Sequence, residues 1–142
     1  MTVKALLKNC NCMERDVTLL YVDDETINLK LFEINFSKRF NVITAPSGYD
    51  ALEKLKDSPS ISVIISDMRM PGMNGIDFIK LAKEHRENIV CFILSGYDVT
   101  EEINKAYNER LIDKYFQKPF NMRDIEASIK EAIELRANSH SG

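Results

Sequence analysis

Five short apolar runs, each followed by a polar turn and a stretch of helical period, dictate what this chain can fold into. Val17–Val22, Phe40–Ala45, Ile61–Ser66, Ile89–Leu94 and Tyr115–Phe116 lack the apolar–polar alternation of a strand with one wet face, and so read as strands buried on both sides. The connections are short, and right-handed crossovers then place helices on both faces of a parallel sheet. The expected class is α/β, a doubly wound parallel sheet of five strand–helix units. Ile27, Leu31 and Ile34 predict the apolar stripe of the first helix, with Asp24 or Thr26 as its cap. Ser47 caps a second helix carrying Ala51, Leu52 and Leu55, and Asp57-Ser58-Pro59-Ser60 breaks it. Ile76, Ile79, Leu81 and Ala82 mark the third, and Thr100 with Glu101 and Glu102 starts the fourth. Asn121 caps a fifth, running through Ile125, Ile129, Ala132, Ile133 and Leu135.

A length of 142 residues suits one domain, here 17–137, with an N-terminal extension at 1–16 and a polar tail at 138–142. A net charge of -3 gives no electrostatic reason for direct binding to nucleic acid, which needs clustered Lys and Arg. The three cysteines have no framework spacing, as expected of a reduced, cytoplasmic protein. Cys10 and Cys12 are half a metal or redox pair at most, and read more simply as thiols in a loose tail. No apolar stretch is long enough to cross a bilayer, so no membrane partner is expected.

The strand ends carry the chemistry. Asp23 and Asp24 follow the first strand, Asp67 the third, Ser95 the fourth and Lys118 the fifth. Neighbouring parallel strands lie about 4.8 Å apart, so these groups can converge on the carboxyl edge of the sheet, where ligands collect in such folds. Three crowded carboxylates need a proton or a hard cation, and an all-oxygen donor set without His or Cys selects Mg²⁺ or a similar ion. Each residue also has a plainer role: Asp24 as a helix cap, Ser95-Gly96 as a turn, Lys118-Pro119 as a strand terminator, Tyr115 as a half-buried strand aromatic.

Taken together, Asp23-Asp24, the Ser66-to-Gly75 loop around Asp67, Ser95-Gly96 and Tyr115-to-Phe120 resemble the receiver domain of two-component response regulators, over about Val17 to Arg136. The resemblance implies a flavodoxin-like fold with strand order 2-1-3-4-5, and Asp67 as acceptor of a phosphoryl group from a histidine kinase or histidine phosphotransfer protein. It implies Mg²⁺ held by Asp24, Asp67 and the Arg69 backbone carbonyl, with Asp23 orienting a bound water. Lys118 would pair first with Asp67 and then with the phosphoryl oxygens, and the Lys118–Pro119 bond would be cis. Ser95 and Tyr115 would move on phosphorylation and alter the surface of the fourth helix, fifth strand and fifth helix. That surface would control an output domain or effector, or allow a homodimer on activation. Arg69 and Tyr97 stand where the family tunes the lifetime of the acyl phosphate, and their bulk implies slow hydrolysis. Such a domain is a signalling switch rather than an enzyme.

Leu111-Ile112 departs from the Gly-Ala common before the fifth strand of receivers, so a bulkier exit from the fourth helix is expected. Asn104 to Pro119 looks more like receivers joined to cyclic-di-GMP phosphodiesterase domains or found in hybrid sensors. A phosphatase of the haloacid dehalogenase type also uses an Asp nucleophile with Mg²⁺, but needs a second acid where Arg69 stands. A flavodoxin needs a phosphate-cradling loop after the first strand, where Asp23-Asp24 would repel phosphate. A receiver fold used purely for docking remains the third alternative.

Overall fold

Five strands pair in parallel in the order β2-β1-β3-β4-β5, with a helix after each. The computed structural model describes residues 16–96 and 100–141, with side chains to residue 136. In chain order the elements are β1 (Thr18–Val22), α1 (Thr26–Phe36), β2 (Asn41–Ala45), α2 (Gly48–Asp57) and β3 (Ile61–Asp67). There follow α3 (Gly75–His85), β4 (Val90–Ser95), α4 (Glu101–Asn108), β5 (Lys114–Gln117) and α5 (Met122–Ser141). This is the flavodoxin-like order expected for the chain.

The uniform apolarity of the inner strands has a direct cause. Leu19, Tyr21, Val63, Ile65, Phe92 and Leu94 face one core with Phe32 and Phe36 of α1 and Ile125 and Ile129 of α5. Leu20, Val22, Ile64, Cys91 and Ile93 face another, with Ala51, Ile76, Ile79 and Ile103 of α2, α3 and α4. Both faces are sealed, which leaves the strand ends as the places where polar groups can gather. Burial pushes the Cys91 thiol up to about 12, so it stays protonated and unreactive.

Two caps, Ser47 and Thr100, match their sequence signals, and Asn74 adds a third that the apolar spacing of its helix does not announce. Ser47, Asn74 and Thr100 accept the amides of Asp50, Asp77 and Ile103 at the starts of α2, α3 and α4. The start of α1 differs from expectation. Neither Asp24 nor Thr26 caps it; Glu25 holds the cap position with no side-chain capping bond, and its amide donates to Asp23 Oδ1 at 3.0 Å. Asp24 is thereby left unused by the helix.

The buried stripe of α1 is also not the one its periodicity suggests. Ile27, Leu31 and Ile34 are 71%, 50% and 66% exposed, whereas Phe32 and Phe36 are buried. Apolar residues line two faces of this helix, and the aromatic face goes inward because it buries more area and stacks on β1. The rings of Tyr21 and Phe32 lie 4.0 Å apart and 3° from parallel, and Phe32 and Phe36 follow at 4.3 Å. In α5, Ile125 and Ile129 are buried but Leu135 turns outward, and the helix runs on through residues 138–141, which the sequence assigns to a polar tail. No Gly or Pro interrupts it before Gly142.

The bulky Leu111-Ile112 exit from α4 is accommodated by backbone geometry. Arg110 takes a left-handed φ of 62°, and Ile112 drops into the core beside Ile103 and Ala106.

The two faces of α1 give a direct test in urea unfolding. Ile34→Glu should change stability by less than about 0.5 kcal/mol, and Phe32→Ala should cost about 3 to 5 kcal/mol.

Candidate functional site

Register brings the acidic strand ends side by side. Val22 is level with Ser66 across β1 and β3, and Asp67 with Leu94 across β3 and β4. Asp67 closes β3, and Asp23 and Asp24 follow β1. Asp23, Asp24 and Asp67 each offer a carboxylate oxygen, and these atoms all lie within 4.8 Å of one another. Asp23 and Asp67 are buried and Asp24 is exposed, so the cluster opens to solvent on the Asp24 side. The third strand end is held by its neighbours: the amide of Met68 donates to the carbonyl of Leu94 at 2.9 Å, and the amide of Gly75 to that of Met68 at 2.9 Å.

That loop demands glycine at its end. A Cβ on Gly75 would stand 2.5 Å from the Asp67 carbonyl oxygen, a distance no side chain tolerates. Gly72 supplies the other bend, at φ +82°, where an L residue is strained. The Pro-Gly and Asn-Gly pairs thus let α3 start directly beneath the carboxylate.

Lys118 enters from the far side. Its amide donates to the Ser95 carbonyl at 2.7 Å, the Lys118–Pro119 bond is cis, and Nζ lies 3.2 Å from Asp67 Oδ1. The Met68 amide donates to the same oxygen at 3.1 Å. Burial nevertheless holds the Asp67 carboxyl above its ordinary range; the Lys118 ammonium works against this, while Asp23 and Asp24 add to it. Ser95 ends β4, buried and level with Gln117.

Tyr115 stands apart from this group. Its hydroxyl makes a long hydrogen bond of 3.5 Å to Asn104 Oδ1, and its ring meets Tyr107 edge-on at 5.5 Å. It faces α4, away from the carboxylates. Arg69 is exposed beside Asp67, with no acid in its place. Tyr97, Cys10 and Cys12 lie outside the described residues.

Tyr21 belongs to the site although it reads in sequence as one more strand residue. Its hydroxyl donates to Asp23 Oδ2 at 2.8 Å. Burial, then the Asp23 carboxylate, push the phenol well above its ordinary value, so it keeps its proton. A phenol two residues before an acid in an otherwise aliphatic strand is the signal that could have found it.

All donors in the cluster are oxygens, three are anionic, and one face is open, a set that fits a hard divalent cation such as Mg²⁺.

The model of one family, the response regulator receiver domain, matches residues 19–130. The chain belongs to that family. This receiver domain is 34% identical over 123 residues to the hydrogenase transcriptional regulatory protein HoxA of Cupriavidus necator, covering 87% of the chain and 25% of that protein. It thus spans about a quarter of that relative's length. It is 30% identical over 122 residues to sporulation initiation phosphotransferase F of Bacillus subtilis, covering 84% of the chain and 96% of the relative. Among solved structures, one described as an adenylate cyclase from Rhodopirellula baltica superposes with a TM-score of 0.81 at 35% identity, over 87% of this chain and 94% of that one. No helix among the described residues is long and apolar enough to cross a membrane.

The raised Asp67 carboxyl has a consequence for the chelated protein. An acid raised by folding leaves stability complete below the ordinary carboxylate range and lost as pH climbs through the folded value. Asp67→Asn should therefore melt a few degrees above the parent at neutral pH in chelator, and the two curves should converge near pH 4. Calorimetric melting across that range checks it.

Proposed function

We propose that this receiver domain is a phosphorylation-dependent switch whose acceptor is Asp67, served by a histidine kinase or a histidine phosphotransfer protein. The observation that carries the reading is the arrangement around Asp67: its Oδ1 lies 3.2 Å from the Lys118 ammonium, and one carboxylate oxygen from each of Asp23, Asp24 and Asp67 lies within 4.8 Å of the other two. A carboxylate oxygen of Asp67 attacks phosphorus in line, the bond from phosphorus to the donor imidazole nitrogen breaks, and that nitrogen keeps the electron pair. Asp67 then carries an acyl phosphate. Mg²⁺ bound by Asp24, Asp67 and the Arg69 carbonyl would neutralise the charge spread over the phosphoryl oxygens. Asp23 would orient a water bound to that ion, and Lys118 exchanges its carboxylate partner for a phosphoryl oxygen.

A groove of about 310 Å³ runs between α1 and the start of α5, floored by Tyr21 and Phe32, walled by Leu31 and Phe120, and reaching Lys118. The output follows on the other side of the site. Ser95 contributes its hydroxyl to the new phosphoryl group, and Tyr115 leaves Asn104 and Tyr107 to turn inward, which changes the α4–β5–α5 surface. That surface acts on an output domain or effector, or pairs with a second copy. The unit that switches is 17–137. Hydrolysis is slow, as the bulk of the residues at positions 69 and 97 implies; of the two, Arg69 is exposed beside Asp67.

Incubation with acetyl phosphate and Mg²⁺ should add the mass of one phosphoryl group. Asp67→Asn should abolish the adduct, and an unchanged mass in the parent protein would leave only the docking role. Lys118→Ala should retain Mg²⁺ binding but lose most of the response to beryllium fluoride, read as near-ultraviolet dichroism of the tyrosines. Once acetyl phosphate is removed, the phosphorylated protein should decay over minutes or longer; loss within seconds would refute the protective role of Arg69 and Tyr97.

A further inference from the structure

Asp23 is fully buried, yet the structure holds both of its oxygens: Oδ1 by the Glu25 amide at 3.0 Å and Oδ2 by the Tyr21 hydroxyl at 2.8 Å. The first donor belongs to the backbone and would be present with any residue at position 25. The second depends on a single side-chain oxygen. Tyr21 is only 2% exposed, and its ring is clamped flat on Phe32 at 4.0 Å and 3°, with Phe36 stacked behind. The hydroxyl therefore has little freedom to follow Asp23; the carboxylate must follow the hydroxyl.

Packing alone does not call for this hydroxyl. A phenylalanine would fill the same slot against Phe32 and would avoid burying a polar atom, which is unfavourable unless that atom is bonded. The bond it makes is to one of three carboxylates whose oxygens lie within 4.8 Å of one another. In that crowd each carboxylate gains by rotating away from its neighbours, so a donor that fixes the torsion of Asp23 keeps the site assembled before any cation arrives.

We infer that Tyr21 is a positioning residue for the cation site: its hydroxyl holds Asp23 in the orientation that serves the metal, and its own orientation is set by the α1 aromatic stack. The inference rests on reading Asp23, Asp24 and Asp67 as a Mg²⁺ site. It adds a residue that touches neither metal nor phosphoryl group, and it ties α1 to the cation through Phe32, Tyr21 and Asp23.

Tyr21→Phe keeps the ring and its stack and removes one oxygen. Metal-free protein titrated with MgCl₂ in a calorimeter should show Mg²⁺ binding weakened about tenfold in the variant, the lower end of the loss seen when an outer partner of a metal site is removed. Far-ultraviolet dichroism should be unchanged. Mg²⁺ should also perturb the near-ultraviolet tyrosine absorption of the parent, and the part of that signal owed to Tyr21 should vanish in Tyr21→Phe. An unchanged or tighter dissociation constant, or a parent difference spectrum that the variant reproduces in full, would overturn the role of Tyr21 while leaving the metal site standing. A parent protein that takes up no Mg²⁺ would overturn the metal reading itself and this inference with it. Should the variant not fold, the parent spectrum alone decides: no tyrosine perturbation on Mg²⁺ binding refutes the coupling.

Discussion

Mutual repulsion among Asp23, Asp24 and Asp67 is the constraint on which the rest of the molecule depends. Unit charges 4.8 Å apart repel by about 3 kcal/mol at an effective dielectric constant of about 20. No isolated loop would hold three such groups together. Here each is fixed to the end or exit of a sheet strand whose register is set along its length by apolar residues on both faces. Slipping β1 by one residue would move Leu19 and Tyr21 to the face of Leu20 and Val22, so the cores lock the acids in place. The Lys118 ammonium, the Met68 amide, the Glu25 amide and the Tyr21 hydroxyl then offset part of the charge.

Seen this way, the two sides of the site have different tasks. The α1 side supplies groups that hold still: the stacked rings, Tyr21 and, through it, Asp23. The α4–β5 side supplies groups that are less tightly held, with Tyr115 half-buried and tied to α4 by one long hydrogen bond and one ring contact. A firmly packed wall facing a less tightly held one is the arrangement that the proposed switch calls for.

Much of this was legible in the sequence because its signals were local. Apolar runs without alternation announced doubly covered strands, Ser47 and Thr100 stood where helices begin, and the carboxylates stood where strands end. What was not legible depended on choices between equal patterns or on contacts far apart in the chain. Ile27, Leu31 and Ile34 have the right spacing for a buried stripe, but so do Leu29, Phe32 and Phe36, and only the Tyr21 ring on β1 decides between them. Arg86 stands among charged residues at the end of α3, where nothing local marks it out, yet its guanidinium donates to the carbonyls of Leu55, Ser58 and Ile61 and fastens the exit of α2 to β3. Asp24 fitted a helix cap until the cap position proved to be Glu25.

The outward pose of Tyr115 sets a threshold on any signal that has to turn it. Its edge-on contact with Tyr107 is of a kind worth about 1 kcal/mol beyond simple burial, and that alone weights the quiescent arrangement about fivefold over one lacking it. Under the proposed switch Tyr107 is thus a ballast residue: remote from the carboxylates, it weights the domain toward the arrangement in which the two rings touch.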